Sequence, residues 1–301
     1  MSKCGRIAMS SRDIKCVGVL GAGLMGSEVA LDLACYGYRV LLKDISLDRL
    51  HAAEVKIKSD FKLIKMMKKE RQIPTIDEIL QHILFTDSYD NFDEADVLVE
   101  NVTEDWDVKH GVYLDLRERC KADALYAANT SCISITKIAA VMPQPERVIG
   151  MHFMNPVPLK DLVEVIRGYH TSDETVARSE AFLRSIGKKA VVVSDAPGFV
   201  SNRLSHLFMN EAAFLVQEQV ATPKQIDLIF KRGYGHKMGP CETADLIGID
   251  TVVRSLDILY ESFHDPKFRS CPLLRKMADA GLLGKKSRKG FYEYDIAGTV
   301  Q

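Results

Sequence analysis

The sequence predicts an α/β chain: a doubly wound, mostly parallel sheet over residues 1–196, followed by an all-helical domain over residues 197–301. Three observations carry that expectation. Short β-branched runs alternate with helix-period stretches through the first part of the chain, which is the pattern of strands joined by crossover helices. The run Ser194-Asp195-Ala196-Pro197-Gly198 then collects turn formers and a helix stop, and marks a boundary. Beyond it only long helical periodicity remains.

In order, the strands fall at 15–20, 39–43, 83–86, 97–100, 124–128, 148–151, 162–166 and 191–193. Helices fall between several of them, at 24–36, from 47 to about 71, at 108–119, near Ile135 and at 174–186. The second domain reads as helices at 199–219, 224–231, 251–263 and 273–280. The aromatic stretch Gly290-Phe291-Tyr292-Glu293-Tyr294 reads as a short segment that docks on the rest.

Composition removes whole classes of function. The chain has 301 residues, 47% hydrophobic and 27% charged, with 40 Lys+Arg against 41 Asp+Glu. That balance argues against disorder and against a basic nucleic-acid footprint. The longest uncharged stretch, 124–136, is shorter and more polar than the ~18–20 residues a membrane span needs, so no membrane partner is expected. Seven scattered cysteines make no C-x-x-C pair or metal cage, which fits small buried thiols in a reducing cytoplasm and no metal. Residues 1–13 lack the apolar stretch of a secretory leader and read as an irregular start.

Gly21-Ala22-Gly23-Leu24-Met25-Gly26 directly follows the first strand and opens a helix. Gly21 suits the tight turn, Gly23 lets backbone approach a pyrophosphate, and Gly26 lets helix and strand pack closely; Leu24 and Met25 complete the turn. The helix N-terminus offers free N–H groups to phosphate. Asp44 closes the second strand, 18 residues beyond Gly26. A carboxylate there accepts both ribose hydroxyls and repels a 2′-phosphate, so NAD is favoured over NADP; its plainer reading is a cap for the next helix. Glu28, in the early turns of the phosphate-binding helix, is expected to point away from the bound charge.

Oxidising an alcohol by hydride transfer requires a base for the hydroxyl proton, and an imidazole titrates in the right range. Of eight histidines, His152 stands out, at a strand end in His152-Phe153-Met154-Asn155-Pro156, with Glu164 twelve residues on in the next strand. Neighbouring strands can set that carboxylate beside the ring, as orienting partner or as a structural ion pair. Ser131 and Asn202 can donate to a developing alkoxide or a thioester carbonyl. Their plainer readings are helix cap and helix-start residue, and that of Glu104 with Lys109 is a solvated ion pair.

These residues, in order and spacing, closely resemble the 3-hydroxyacyl-CoA dehydrogenase family from about Ile14 to Tyr294. The likeness rests on the glycine motif, Val99-Glu100-Asn101-Val102-Thr103-Glu104 with Lys109, Asn129-Thr130-Ser131, the His152 motif, Leu162-Val163-Glu164-Val165-Ile166, Pro197-Gly198-Phe199-Val200-Ser201-Asn202-Arg203 and Met238-Gly239-Pro240. The resemblance implies a Rossmann-like NAD domain, His152 as base in oxidation and acid in reduction, and Glu164 as its partner. It also implies that Ser131 and Asn202 bond the reacting substrate region, that Glu104, Lys109, Asn129 and Asn155 lie around the cofactor, and that helical domains pair into a homodimer.

The sequence departs from the family pattern at Glu28, Asn101, Ala128 and Met154, none of them in the His152–Glu164 pair. The long helix after Asp44 carries Lys56, Lys58, Lys62, Lys65, Lys68 and Lys69, a positive surface for an anionic carrier. Lys62 and Lys65 are the expected substrate-binding members. Where CoA-specific relatives present a Ser and, seven residues on, a Lys, this chain has Ser59 and Met66. The expected substrate is therefore a 3-hydroxyacyl thioester on CoA, or a hydroxyacyl group on an acyl carrier protein as in polyketide precursor synthesis. A non-catalytic NAD(H)-binding structural or sensor protein is the alternative of another class, opposed by the intact quartet His152, Glu164, Ser131 and Asn202. A β-hydroxyacid dehydrogenase of the 6-phosphogluconate type lacks a counterpart for its catalytic Lys here.

Overall fold

The computed structural model describes residues 14–67, 74–295 and 298–301; the irregular start at 1–13 and Lys68 and Lys69 lie outside them. The chain divides into two compact units, Met1–Ala196 and Pro197–Gln301.

The first unit is built on strands β1 (Cys16–Leu20), β2 (Arg39–Lys43), β3 (Ile83–Thr86), β4 (Val97–Glu100), β5 (Leu125–Ala128), β6 (Val148–Phe153), β7 (Leu162–Arg167) and β8 (Lys189–Ser194). They form one sheet in the order β3-β2-β1-β4-β5-β6-β7-β8. Every pairing is parallel except β6 with β7. Residues in β1, β4 and β5 are buried on both faces, because helices cover both sides of a parallel sheet. The helices are α1 (Leu24–Cys35), α2 (Leu47–Met67), α3 (Ile76–Gln81), α4 (Trp106–Arg119), α5 (Ile135–Ala139) and α6 (Asp173–Ser185). The strand order turns from descending to ascending between β1 and β4, and the crevice at their carboxyl ends is where such sheets take ligands.

Two local features differ from the expectation. β6 runs on to Phe153, so His152 lies within the ladder rather than just past it. α3 is a short helix absent from the sequence reading, started by a capping box in which Thr75 Oγ1 accepts from Glu78 N and Glu78 reaches back to Thr75 N.

The second unit consists of α7 (Ser201–Gln217), α8 (Pro223–Gly233), α9 (Pro240–Ile247), α10 (Ile249–Phe263) and α11 (Pro272–Asp279). Its core joins Met209 and Ala213 of α7, Ile249, Val252 and Leu256 of α10, and Leu274 of α11. α9 is a further helix that periodicity alone did not give. The C-terminal aromatic stretch docks on two buried carboxylates. Asp245 accepts from Phe291 N (2.9 Å), Tyr292 N (3.0 Å) and the Tyr294 hydroxyl (2.9 Å). Asp227 accepts from the Tyr292 hydroxyl (2.6 Å) and from Cys241 N and Glu242 N, which it caps at the start of α9.

Candidate active site

The glycine loop joins β1 to α1. Gly21 holds φ +87°, and a Cβ there would meet the Asn101 carbonyl oxygen at 2.8 Å; one on Gly26 would sit 1.7 Å from the Gly21 oxygen. Both are therefore required by chain-to-chain packing. At Gly23 the same position is open for 4 Å, and no side chain caps the α1 N-terminus, so its backbone faces space that a pyrophosphate fits. Leu24 is exposed and Met25 half-buried beside it.

Asp44 follows β2 and is buried, with Oδ2 accepting from Ala22 N and Oδ1 from Ile45 N, both at 2.7 Å. The carboxylate is thus tied to the glycine loop. The cap of α2 is supplied instead by Ser46, whose Oγ accepts from Arg49 N at 3.3 Å. Open space at Gly23, bare helix N–H groups and an anchored acid at the β2 end together fit a dinucleotide.

Glu28 is turned to other business. Its Oε2 accepts from Val157 N at 2.7 Å and its Oε1 lies 3.5 Å from Lys56 Nζ. One turn later Asp32 meets Lys188 at 2.8 Å, and that ammonium also donates to Val157 O and Lys160 O. The two acids of α1 thus fasten the segment after His152.

The antiparallel ladder pairs His152 directly with Glu164. Their side chains meet at 3.0 Å, Nδ1 to Oε2, and both are buried. A carboxylate only accepts, so Nδ1 carries the hydrogen and Nε2 is left as the proton-exchanging nitrogen. Ser131 Oγ lies 3.3 Å from that Nε2. Ser131 does not cap α5; Ser134 does, accepting from Lys137 N and donating to Asp195.

Around this trio the loop ends are cross-tied. Glu104 Oε1 accepts from Thr130 Oγ1 (2.5 Å), Ser131 N (3.0 Å) and Cys132 N (2.8 Å). Lys109 is fully enclosed, its Nζ 2.7 and 3.0 Å from the two Glu100 oxygens and 3.8 Å from Glu104 Oε2. Burial pushes the Glu100 carboxyl above its usual range, with Lys109 opposing that rise. Lys109 is thus enclosed between the two carboxylates, at the end of β4. Asn129 donates from Nδ2 to Asn101 Oδ1 at 2.7 Å and accepts at Oδ1 from Phe153 N at 3.2 Å. Asn155 reaches Met25 Sδ at 4.0 Å, at the glycine loop.

Asn202 belongs to the other unit, in the first turn of α7, where its carbonyl accepts from His206 Nδ1 at 2.8 Å. On α2, Lys56 is held by Asp60 at 2.6 Å as well as by Glu28, and Lys58 by Glu54 at 2.6 Å. The expected positive surface narrows, among the described residues, to Lys62 and Lys65. Both are exposed beside exposed Leu63 and Met66.

Sequence reasoning missed Glu100, Asn101 and Thr130 as parts of this network. A signal was present in Glu100 and Asn101, two polar residues closing the apolar run Val97-Leu98-Val99.

Comparison with known proteins places the chain. The model described as 3-hydroxyacyl-CoA dehydrogenase, NAD binding domain, matches residues 16–196, and that of the 3-hydroxyacyl-CoA dehydrogenase C-terminal domain matches residues 198–294. A probable 3-hydroxybutyryl-CoA dehydrogenase of Bacillus subtilis is 42% identical over 284 residues, covering 94% of this chain and 98% of that one. A 3-hydroxybutyryl-CoA dehydrogenase of Bradyrhizobium diazoefficiens is 41% identical, covering 95% and 98%. The crystal structure of (S)-3-hydroxybutyryl-CoA dehydrogenase from Ralstonia eutropha superposes with TM-score 0.87 at 38% identity, covering 94% and 99%. The chain belongs to the 3-hydroxyacyl-CoA dehydrogenase family.

Proposed function

We propose that this protein is an NAD-dependent 3-hydroxyacyl-CoA dehydrogenase acting on a short chain such as 3-hydroxybutyryl, with His152 as its acid–base. The observation that carries the chemistry is the His152 ring held between Glu164 at Nδ1 and Ser131 at Nε2. NAD, when bound, supplies the hydride acceptor for substrate C3. Gly21, Gly23, Gly26 and the α1 N-terminus hold its pyrophosphate, and Asp44 its ribose. His152 Nε2 takes the C3 hydroxyl proton in oxidation and returns it in reduction, while Glu164 fixes the tautomer and stabilises the imidazolium. Ser131 donates to the substrate oxygen.

CoA is the carrier that the relatives' names favour over an acyl carrier protein, and Lys62 and Lys65 are the cations that meet its phosphates. The protein works in a reducing cytoplasm as a homodimer joined through the helical unit. Among the described residues no helix is long and apolar enough to cross a membrane.

The test is NADH oxidation at 340 nm with acetoacetyl-CoA. His152→Ala is expected to lower kcat by at least ~10²-fold with NADH affinity nearly unchanged; near-wild-type turnover in that variant refutes the mechanism. Tight NADH binding without turnover of any acyl thioester by the wild type makes the protein a structural or sensing one instead.

A further inference from the structure

We propose that Glu104 is a positioning residue: it sets the loop that holds the Ser131 hydroxyl against His152, and acts on turnover through that loop rather than through the cofactor. The inference rests on reading His152 as the acid–base.

A single carboxylate oxygen, Oε1, gathers the Ser131 and Cys132 N–H groups, the Thr130 hydroxyl and, at 3.4 Å, the Ile133 N–H. Successive N–H groups converging on an anion make a concave dipole cluster, and charge-assisted bonds of this kind are roughly twice as strong as neutral ones. The loop turns around Glu104 as around a bound anion. Thr130 Oγ1 accepts from Ile133 N at 3.1 Å, and Ser134 acts later, at the start of α5, so the N–H groups of 131 and 132 are left to Glu104.

Glu104 is itself anchored. Its Oε2 faces Lys109, whose ammonium is locked on Glu100 at the end of β4. The path thus runs from the sheet through Lys109 and Glu104 to Ser131 and, over 3.3 Å, to His152 Nε2. A misplacement of about 1 Å at such a contact costs on the order of 10² in rate. Removing Glu104 strips the loop of its acceptor while leaving the glycine loop and Asp44, on β1 and β2, untouched.

The experiment is a double-mutant cycle of Glu104→Ala and Ser131→Ala on kcat, with NADH affinity read by fluorescence titration. Glu104→Ala is expected to lower kcat on the order of 10²-fold, with NADH affinity within about twofold of wild type. The double variant is expected to be no more than about threefold slower than the slower single one, because both changes remove the same contact. Glu104→Gln keeps one acceptor oxygen and is expected to recover at least about tenfold of the loss, which also serves should the alanine variant fail to fold. Additive losses in the cycle, or NADH affinity weakened about tenfold or more, overturn the proposal in favour of a direct cofactor contact. Full turnover in His152→Ala refutes the acid–base reading separately, since it does not depend on how Glu104 and Ser131 combine.

Discussion

The two units bury their acids by different means. In the sheet unit, among the described residues, four deeply buried carboxylates meet a cation, Glu28 with Lys56, Asp32 with Lys188, Asp44 with Arg49 and Glu100 with Lys109, and a fifth, Glu164, meets the His152 imidazole. In the helical unit Asp227 and Asp245 are as deeply buried, yet they are held by neutral donors, backbone N–H groups and tyrosine hydroxyls, with the Cys241 thiol also on Asp227. A buried ion pair is a poor source of net stability but a strict one of geometry, because each partner is costly without the other. Neutral donors suit a different task, that of tying a terminal segment to a helix bundle. The contrast separates a region built to aim side chains from one built to close a fold.

The largest effect expected from this contrast is at Lys109. Lys109→Met leaves Glu100 charged and enclosed, and should destabilise the protein by about 3–5 kcal/mol in denaturant unfolding. Adding Glu100→Leu should restore most of that loss; no restoration would mean the pair is not an isolated charge balance. Next is Asp245→Ala, which orphans two N–H groups and a hydroxyl. The expected loss is about 2–3 kcal/mol, seen as faster hydrogen exchange at Phe291 and Tyr292 with NADH affinity unchanged. Altered NADH binding there would erase the division of labour between the units.

Smaller again, Asp44→Ala should weaken NADH about tenfold and narrow the discrimination against NADPH. Unchanged discrimination would reduce Asp44 to a fastener of Ala22. The smallest effect is in pH dependence, where Asp227 and Asp245 of the helical unit and Asp96 of the sheet unit carry opposite signs. Burial raises the Asp227 and Asp245 carboxyls above their ordinary 3.8, against their hydrogen bonds. The folded state then holds protons the unfolded one has lost, and these groups subtract stability as pH rises from about 3.8 through the raised values. At Asp96, burial pulls upward too, but bonds from Lys121, Lys15 N and Cys16 N outweigh it and lower the carboxyl. Its contribution is present above 3.8 and is lost as pH falls through the lowered value. Melting curves across that range should lose part of their acid limb in Asp96→Asn and part of the opposing slope in Asp245→Asn.

Much of the fold was legible because hydrophobic period and punctuation are local. The glycine motif, the β-branched runs and the long helices all announce themselves within a few residues. α3 and α9 did not, since short helices have little periodicity to read. Their starts are nonetheless written, as Thr75 with Glu78, and as Pro240 at the first helical position with Glu242 reaching back to Gly239 N. The reversal of β7 was not legible, because a run of apolar residues carries no direction. In the candidate site, residue type together with place, a strand end and a partner twelve residues on in the next strand, singled out His152 and Glu164. The gathering of four donors on Glu104 was hidden, because the backbone N–H groups of residues 131 to 133 are the same in any sequence; only the loop's shape makes them converge.

The reversal of β7 also has a kinetic meaning. Because β6 and β7 are joined by a hairpin rather than a crossover, imidazole and carboxylate are only twelve residues apart in the chain. Bringing them together closes a short loop, whereas Glu104 lies 48 residues from His152, a difference worth about 1.2 kcal/mol in closure entropy. Each therefore has a high effective concentration of the other as soon as that hairpin zips, before the distant loops have found their places. The His152–Glu164 pair is in this sense a portable cassette of one continuous stretch, 152–164, and the rest of the sheet unit is the frame built around it.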